Sequence, residues 1–360
     1  MPEVSPPELL DYVERILVAA GAPDQDAAIV AAHLVEANLK GHDSHGVVRV
    51  PEHVEAVRSG IVQADGHFTV EKQSASTALI DGGWGFGQVV ARRATRMAIE
   101  MARATGVGVV SGRRVAHVGR LGAYAEQAVE AGKIGLVASS GSPLMAAHGG
   151  TTPRLSTNPI AIGVPTADEG SPFVLDMATS VVAAGNVRLA QRLDARIPEG
   201  WLVDASGAPT TDPAALSAGA LLPLGGAQGY KGFGLALAIE ALASLLGGSA
   251  PSGPDSPPDV GLFVLVFDPD HFAGRASLGA SMSTLIEWVK QPPYQPGVSE
   301  ILVPGERAQR SMEERALAIP LDASTWAALS EAATSLGVVP PSLEPPRRRH
   351  GRDAEDDSGA

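Results

Sequence analysis

The sequence contains no cysteine. That excludes disulfides, thiolate nucleophiles, iron–sulfur clusters and cysteine-ligated zinc, and it fits a reducing compartment. Charged residues are 19% of the 360 positions and aromatic residues 4%. The charged share lies below the roughly 25% of an ordinary domain, so the chain can build a large core rather than remain a solvated acidic coil. Basic residues are in deficit, with a net charge of −13. Nucleic acid and anionic membrane surfaces both demand Lys and Arg, so neither is expected as a partner. The most apolar stretch, residues 233–246, is interrupted by Glu240 and is shorter than the ~20 residues of a membrane span. The first residues, Met1-Pro-Glu-Val, lack the basic and apolar regions of a signal peptide. The expectation is a cytoplasmic protein with no membrane contact.

Glycine (41) and proline (28) are plentiful, which implies many turns. The length suggests about two domains. Pro6 and Pro7 open a helix that Gly21 ends, Asp24 is placed to cap a second, and a third runs from about Pro51 to Gly60. Beyond residue 66 the pattern alternates. Strands are expected over 77–80, 106–110, 133–138, 159–164, 173–175 and 262–267. Helices are expected over 87–104, 119–131 and 232–246, with helical signals near Ser281, after Pro304 and over 323–336. Such alternation means helices layered on a buried sheet. Residues 247–258 read as a loop, and residues 340–360 as a disordered, mixed-charge tail.

The turn Asp81-Gly-Gly-Trp-Gly-Phe-Gly87-Gln88 stands between a strand and a helix, as a dinucleotide fingerprint would. It fails the G-x-G-x-x-G test, because Gln88 occupies the third glycine position counted from Gly83. Other segments have the physics of anion binding. Gly229-Tyr230-Lys231-Gly-Phe-Gly234 and Pro304-Gly305-Glu306-Arg307 are glycine-bearing helix starts with a cation in the first turn. Each also reads simply as a helix start beside a solvated cation. Asp176-Met177-Ala178-Thr179-Ser180 follows a strand and offers two hydroxyls, which capping alone would also explain.

Among nine histidines the densest group is Gly41-His-Asp-Ser44-His45-Gly-Val-Val-Arg49. On a helix, His45 and Arg49 would share a face. An arginine fork suits a carboxylate and an imidazole suits proton transfer, with Ser44 able to orient the ring. The competing readings are a histidine that satisfies a helix end and a metal site through His42 and His45. Against metal, H-E-x-x-H is absent and no cysteine can complete the set. A second group, His117-Val-Gly119-Arg-Leu-Gly122-Ala-Tyr124, lies where a strand turns into a helix.

Together these pieces, with Ser156-Thr-Asn-Pro-Ile160, Phe173–Ser180 and Ile197-Pro-Glu-Gly-Trp201, resemble the malate/L-lactate dehydrogenase family of the L-sulfolactate-dehydrogenase-like type. They keep the family's order over about residues 5–320. The resemblance implies a non-Rossmann oxidoreductase that uses NAD or NADP and has a mixed-sheet α/β fold. A helical domain (1–65 and 281–339) is built from both chain ends around a cofactor-binding sheet domain (66–280). It implies a small carboxylic acid substrate, a 2-oxo or 2-hydroxy acid, with cyclic imino acid reduction as the alternative, and a homodimer. A histidine-metal hydrolase is the rival from another class. By position, His45 matches the proton donor, His117 a proton acceptor and Arg49 the carboxylate clamp. Ser140, Asp176, Met177, Ala178, Thr179, Ser180, Tyr230, Lys231, Gly305, Glu306 and Arg307 match cofactor contacts, and no resident metal is implied. The chain departs from the family at Asn186, where the family often has lysine, and at Ala195-Arg196, where it often has Gly-Lys.

Overall fold

The computed structural model describes residues 2–168, 172–253 and 260–341. The expected tail from residue 342 onward, and part of the expected loop over 247–258, lie outside the described residues. The helices are α1 (Pro6–Ala19), α2 (Asp24–Leu39), α3 (Val50–Arg58), α4 (Gly87–Thr105), α5 (Gly122–Glu130), α6 (Ala184–Arg192), α7 (Tyr230–Glu240), α8 (Arg275–Val289), α9 (Glu306–Glu314) and α10 (Ala323–Ser335).

Ser5 caps α1: its hydroxyl oxygen accepts the Glu8 N–H at 3.4 Å and its O–H donates to the Glu8 carboxylate at 2.5 Å. The cap expected of Asp24 is corrected: Pro23 precedes α2 and Asp24 is its first helical residue, where a carboxylate favours the helix dipole instead. Both chain ends meet in one core. Glu3–Val4 pairs antiparallel with Ile319–Pro320. Leu9, Ile16 and Leu17 of α1, Leu34 of α2, Val54 of α3 and Leu329 of α10 are buried in one cluster. Each large aliphatic side chain so buried contributes about 1.5–3 kcal/mol.

The main sheet has seven strands in the spatial order Thr69–Gln73, Thr77–Asp81, Val107–Val115, Val260–Phe267, Ile134–Ser139, Ile160–Val164, Phe173–Met177. Only Thr77–Asp81 beside Val107–Val115 is a parallel pair, so the sheet is mixed. α4 and α5 cover one face, packing Ala94, Ala98, Ala125 and Ala128 against Val110, Val137 and Val264. A smaller five-stranded sheet, with Met145, Leu202 and Leu221 at its core, holds α6 through Ala184 and Val187. Neither the edge strand Thr69–Gln73 nor the small sheet was expected: the first is exposed throughout and the second is built from two- and three-residue strands. The helix expected over 232–246 also divides. α7 ends at Glu240 and the chain continues as a π-helical turn, Ala241–Leu245.

The glycine-rich turn after Asp81 is sealed by its own chain. Gly82 and Trp84 donate N–H bonds to Arg113 and Arg114 carbonyls, Gly85 donates to Gly82, and Gly83 donates to the Asp81 carboxylate at 2.8 Å. No N–H of residues 82–85 is left for a phosphate, which agrees with the failed fingerprint.

Candidate active site

After α2 the chain makes two single 3₁₀ turns, Asp43–His45 and Val47–Arg49, joined by Gly46 in extended conformation (φ −88°, ψ −153°). A side chain at Gly46 would overlap the Asn38 amide. That amide organises both turns: its Oδ1 accepts the Val47 N–H at 2.8 Å and its Nδ2 donates to Asp43 at 2.6 Å. Asp43 is tied in turn to Arg315 at 2.7 Å. The shared helix face expected for His45 and Arg49 is therefore corrected, because the segment is not one helix. The residues still converge. Arg49 Nε donates to the Ser44 carbonyl at 2.8 Å, and the Ser44 hydroxyl lies 3.1 Å from His45 Nδ1.

His117 joins them from the loop that follows Val107–Val115. Its ring stacks on His45, with centroids 5.8 Å apart and planes within 13°. Burial first, and then the Arg49 guanidinium, hold the His45 imidazole down at about 4. The same two causes, in the same order, push His117 well below the usual histidine range. His117 nevertheless keeps an exposed surface. α6 stands over the other side: a side chain at Gly185 would overlap Ser44 Cβ. Asn186 follows it, exposed.

The glycines of the second motif serve this loop. Gly119, at φ +73°, lies where a side chain would collide with His33, whose Nε2 accepts the Arg120 N–H at 2.9 Å. Gly122 donates its N–H to Asp176 at 2.7 Å, and the Tyr124 hydroxyl donates to the Val118 carbonyl at 2.5 Å. His33 and His53 are thus structural: burial holds them at about 3 and about 4, and His53 pairs with Gln88 at 3.2 Å.

The candidate cofactor residues fall into two groups. Ser140 accepts from Ser244 at 2.5 Å and from the Gly261 N–H at 3.0 Å. Thr179 and Ser180 are not helix caps as expected. Their hydroxyls donate to the Thr157 and Val182 carbonyls at 2.8 Å each, and α6 begins only at Ala184. Met177 and Ala178 lead into them, half-buried. The Thr179 carbonyl accepts the Leu224 N–H, and the Leu224 carbonyl accepts the Gly232 N–H, which fixes the start of α7 beside them. Tyr230 and Lys231 are exposed there. The second group is Gly305 (φ +103°), Glu306 and Arg307 at the start of α9, where Val174 donates its N–H to the Pro304 carbonyl. The Glu306 carboxylate is already engaged by Lys290 at 2.5 Å and the Val303 N–H at 3.0 Å. Asp176 turns to Gly122 and the charges of Arg120 and His42, and burial raises its carboxyl.

A cavity of about 760 Å³ borders Gly305 and Glu306, between Phe173, Ile286 and Glu126. It does not include His45 or His117. Convergent titratable groups rather than cavity size mark reactive chemistry, so the His45–His117 pair is the candidate catalytic centre. Sequence reasoning passed over Asn38 and Gly185, whose small or neutral side chains carry no signal apart from their partners, and it read Gln88 only as the break in the fingerprint, not as the partner of His53.

The fold is a mixed-sheet α/β one, and it sets two stacked imidazoles, His45 and His117, beside Arg49. The family described as malate/L-lactate dehydrogenase matches residues 4–330. A malate dehydrogenase of Pyrococcus abyssi is 38% identical over 342 residues, 92% of this chain and 94% of that protein. The solved sulfolactate dehydrogenase of Methanocaldococcus jannaschii superposes with a TM-score of 0.85 at 36% identity, covering 94% of this chain and 98% of that one. The delta1-piperideine-2-carboxylate reductase of Pseudomonas syringae superposes with a TM-score of 0.82 at 31% identity, covering 92% and 100%. The chain belongs to the malate/L-lactate dehydrogenase family, and it is an oxidoreductase. That membership overturns the hydrolase reading. Among the described residues no helix is long and apolar enough to cross a membrane.

Proposed function

We propose that this chain moves a hydride between a nicotinamide dinucleotide, NAD or NADP, and C2 of a small 2-oxo or 2-hydroxy acid of the malate, lactate or sulfolactate type. The observation that carries the reading is the convergence of His45, His117 and Arg49 with the Ser44 hydroxyl. The donor set fits an extended anionic cofactor. Lys231 and Arg307 each stand in the first turn of a helix and make no ion pair with a described residue. Gly305 and the start of α7 flank Val174 and Thr179, which five residues hold at most ~18 Å apart. An extended dinucleotide is long enough to reach both helix starts across that span. The Thr179 and Ser180 hydroxyls are spent on carbonyls, so backbone and the free cations supply the contacts.

When bound, the nicotinamide supplies the hydride chemistry. The protein handles the proton and the carboxylate. Ser44 occupies His45 Nδ1, which leaves Nε2 for the substrate oxygen. In oxidation, neutral His45 Nε2 accepts the hydroxyl proton as the C2 hydride leaves, and the product is the 2-oxo acid. In reduction the same nitrogen returns a proton to the carbonyl oxygen. Arg49 already pairs with Glu52 at 2.6 Å through Nη1, so a substrate carboxylate adds a second negative charge beside the guanidinium that lowers His45, which raises the basicity of the ring. His117 stacks beneath as second acceptor.

The likeness to the Pseudomonas syringae reductase keeps cyclic imino acids as the alternative substrate class, with C=N in place of C=O. The test is a panel of 2-oxo acids and cyclic imines followed by nicotinamide absorbance with NADH and NADPH. Turnover of 2-oxo acids is expected; turnover of imines alone shifts the assignment to the reductase.

A further inference from the structure

The cavity beside Gly305 does not touch the histidine pair, but it continues the strip that the candidate cofactor residues form. Phe173 and Val174 line it, and they precede Asp176 and Met177 on one strand. α5 runs alongside. Gly122, at its start, donates to Asp176, while Glu126 and Glu130 reach the cavity. Glu130 lies eight residues beyond Gly122, which is about 12 Å of helix. A dinucleotide whose nicotinamide meets His45 and His117 carries its adenosine away from them. The cavity, at about 760 Å³, is within the range that holds a small molecule, and it borders the helix start at Gly305.

The charge around this cavity is one-sided. Six carboxylates line it, Glu126, Glu130, Glu287 and Glu306 among them, against three cations, Lys40, Arg275 and Arg310. The cations are already committed. Lys40 bonds to Glu36 at 2.6 Å and to Glu126 at 2.7 Å. Arg310 grips Glu300 through both terminal nitrogens, and the Arg275 side chain lies against Gly132. Arg307, the cation in the first turn of α9, is not among the lining residues. Of the carboxylates, Glu306 is held by Lys290 and the Val303 N–H. Glu130 and Glu287 are exposed and make no ion pair with a described residue. Burial, and then the charges of Glu36 and Glu126, raise the Glu130 carboxyl, so the chain's own groups already feel the negative potential there.

We propose that this cavity receives the adenosine of the dinucleotide, and that Glu130 and Glu287 make the enzyme select NAD over NADP. The inference rests on the hydride-transfer reading above and adds to it which dinucleotide is used. The two cofactors differ by one phosphate, on the 2′ oxygen of the adenosine ribose. A carboxylate accepts a hydrogen bond from the 2′-hydroxyl of NAD, as acidic residues do in other dinucleotide folds. The same carboxylate repels a 2′-phosphate, which needs an uncommitted guanidinium or ammonium instead. Lys40 and Arg310 would have to leave their carboxylate partners to meet it.

The test is direct binding of NADH and of NADPH to the full chain without substrate, followed by nicotinamide fluorescence. NADH is expected to bind at least about ten-fold tighter. Glu130→Arg and Glu287→Arg should each narrow that ratio by about ten-fold. Glu100→Arg, the same change in net charge on the exposed side of α4, should leave it unchanged. 5′-AMP should compete with NADH better than adenosine 2′,5′-bisphosphate does. Salt gives a check that needs no variant. Screening weakens repulsion, so the affinity of NADPH relative to NADH should rise between about 0.05 and 0.5 M salt. Three results would overturn the selectivity and leave hydride transfer standing: NADPH bound as tightly as NADH, a ratio that neither cavity variant changes, or a relative NADPH affinity that falls with salt. Binding of neither cofactor would overturn both.

Discussion

The imidazoles of His45 and His117 lie parallel, 5.8 Å between centroids, with Arg49 acting on both. Two positive charges at that distance repel by about 3 kcal/mol at an effective dielectric of ~20. The repulsion disfavours two protons on the pair, and burial with the Arg49 charge favours the neutral form of both rings. An empty acceptor of this kind suits removal of a hydroxyl proton.

Replacing His45 by Ala removes that acceptor. A positioned acid or base contributes ~10²–10⁴-fold to rate, so kcat should fall by about that factor with the cofactor Kd unchanged. Steady-state kinetics with a fluorescence titration of reduced nicotinamide separates the two. Near-normal kcat would move the proton role to His117.

Arg49→Ala should act on substrate binding. Losing a charge-assisted hydrogen bond costs about 1.5–3 kcal/mol, so KM should rise roughly ten- to a hundred-fold, with a smaller change in kcat. Arg49→Lys should recover only part of this, since an ammonium does not reproduce the fork.

Gly185→Ala tests the wall that α6 places on the site. The new methyl would overlap Ser44 Cβ and displace the hydroxyl that holds His45 Nδ1. Activity should fall by ten-fold or more while the melting temperature changes by only a few degrees. Unchanged activity would mean that α6 yields and that Ser44 does not orient the ring.

Stability should fall on the acid side of neutrality. Burial holds His33 at about 3 and His45 and His53 at about 4, against 6.5 for a free histidine. A lowered folded value means that the fold favours the neutral ring. The stabilisation is complete above pH 6.5 and is lost as pH falls from there towards 4 and below. Thermal melts between pH 7 and 4 should show this loss, and His53→Gln should make it shallower. A flat profile over that range would contradict the buried neutral histidines.

Much of this was legible in the sequence because it lay in local pattern. Pro6-Pro7, the apolar spacing of α1 and the runs at Ile134–Ser139 and Val260–Phe267 announce their elements directly. The Ser44–His45 and His117 segments stood out by residue type, and the structure brings them together. Their geometry was not legible: the helix face assumed for His45 and Arg49 gave way to Gly46, whose extended backbone is set by Asn38, a contact across the α2 terminus. Thr179 and Ser180 looked like caps because the sequence does not show that the Thr157 and Val182 carbonyls compete for them. The small sheet escaped because two-residue strands such as Leu202–Val203 have no period.

Hydride transfer at C2, with the proton passing to His45, is tested most directly with 2-hydroxy acids deuterated at C2. These are supplied together with oxidised nicotinamide, and the reduced cofactor is weighed by mass spectrometry. One deuterium should be gained per turnover in the unaltered protein. In His45→Ala, turnover should be slowed ~10²–10⁴-fold with the same label transfer. Reduced cofactor that carries no deuterium would contradict hydride transfer from C2.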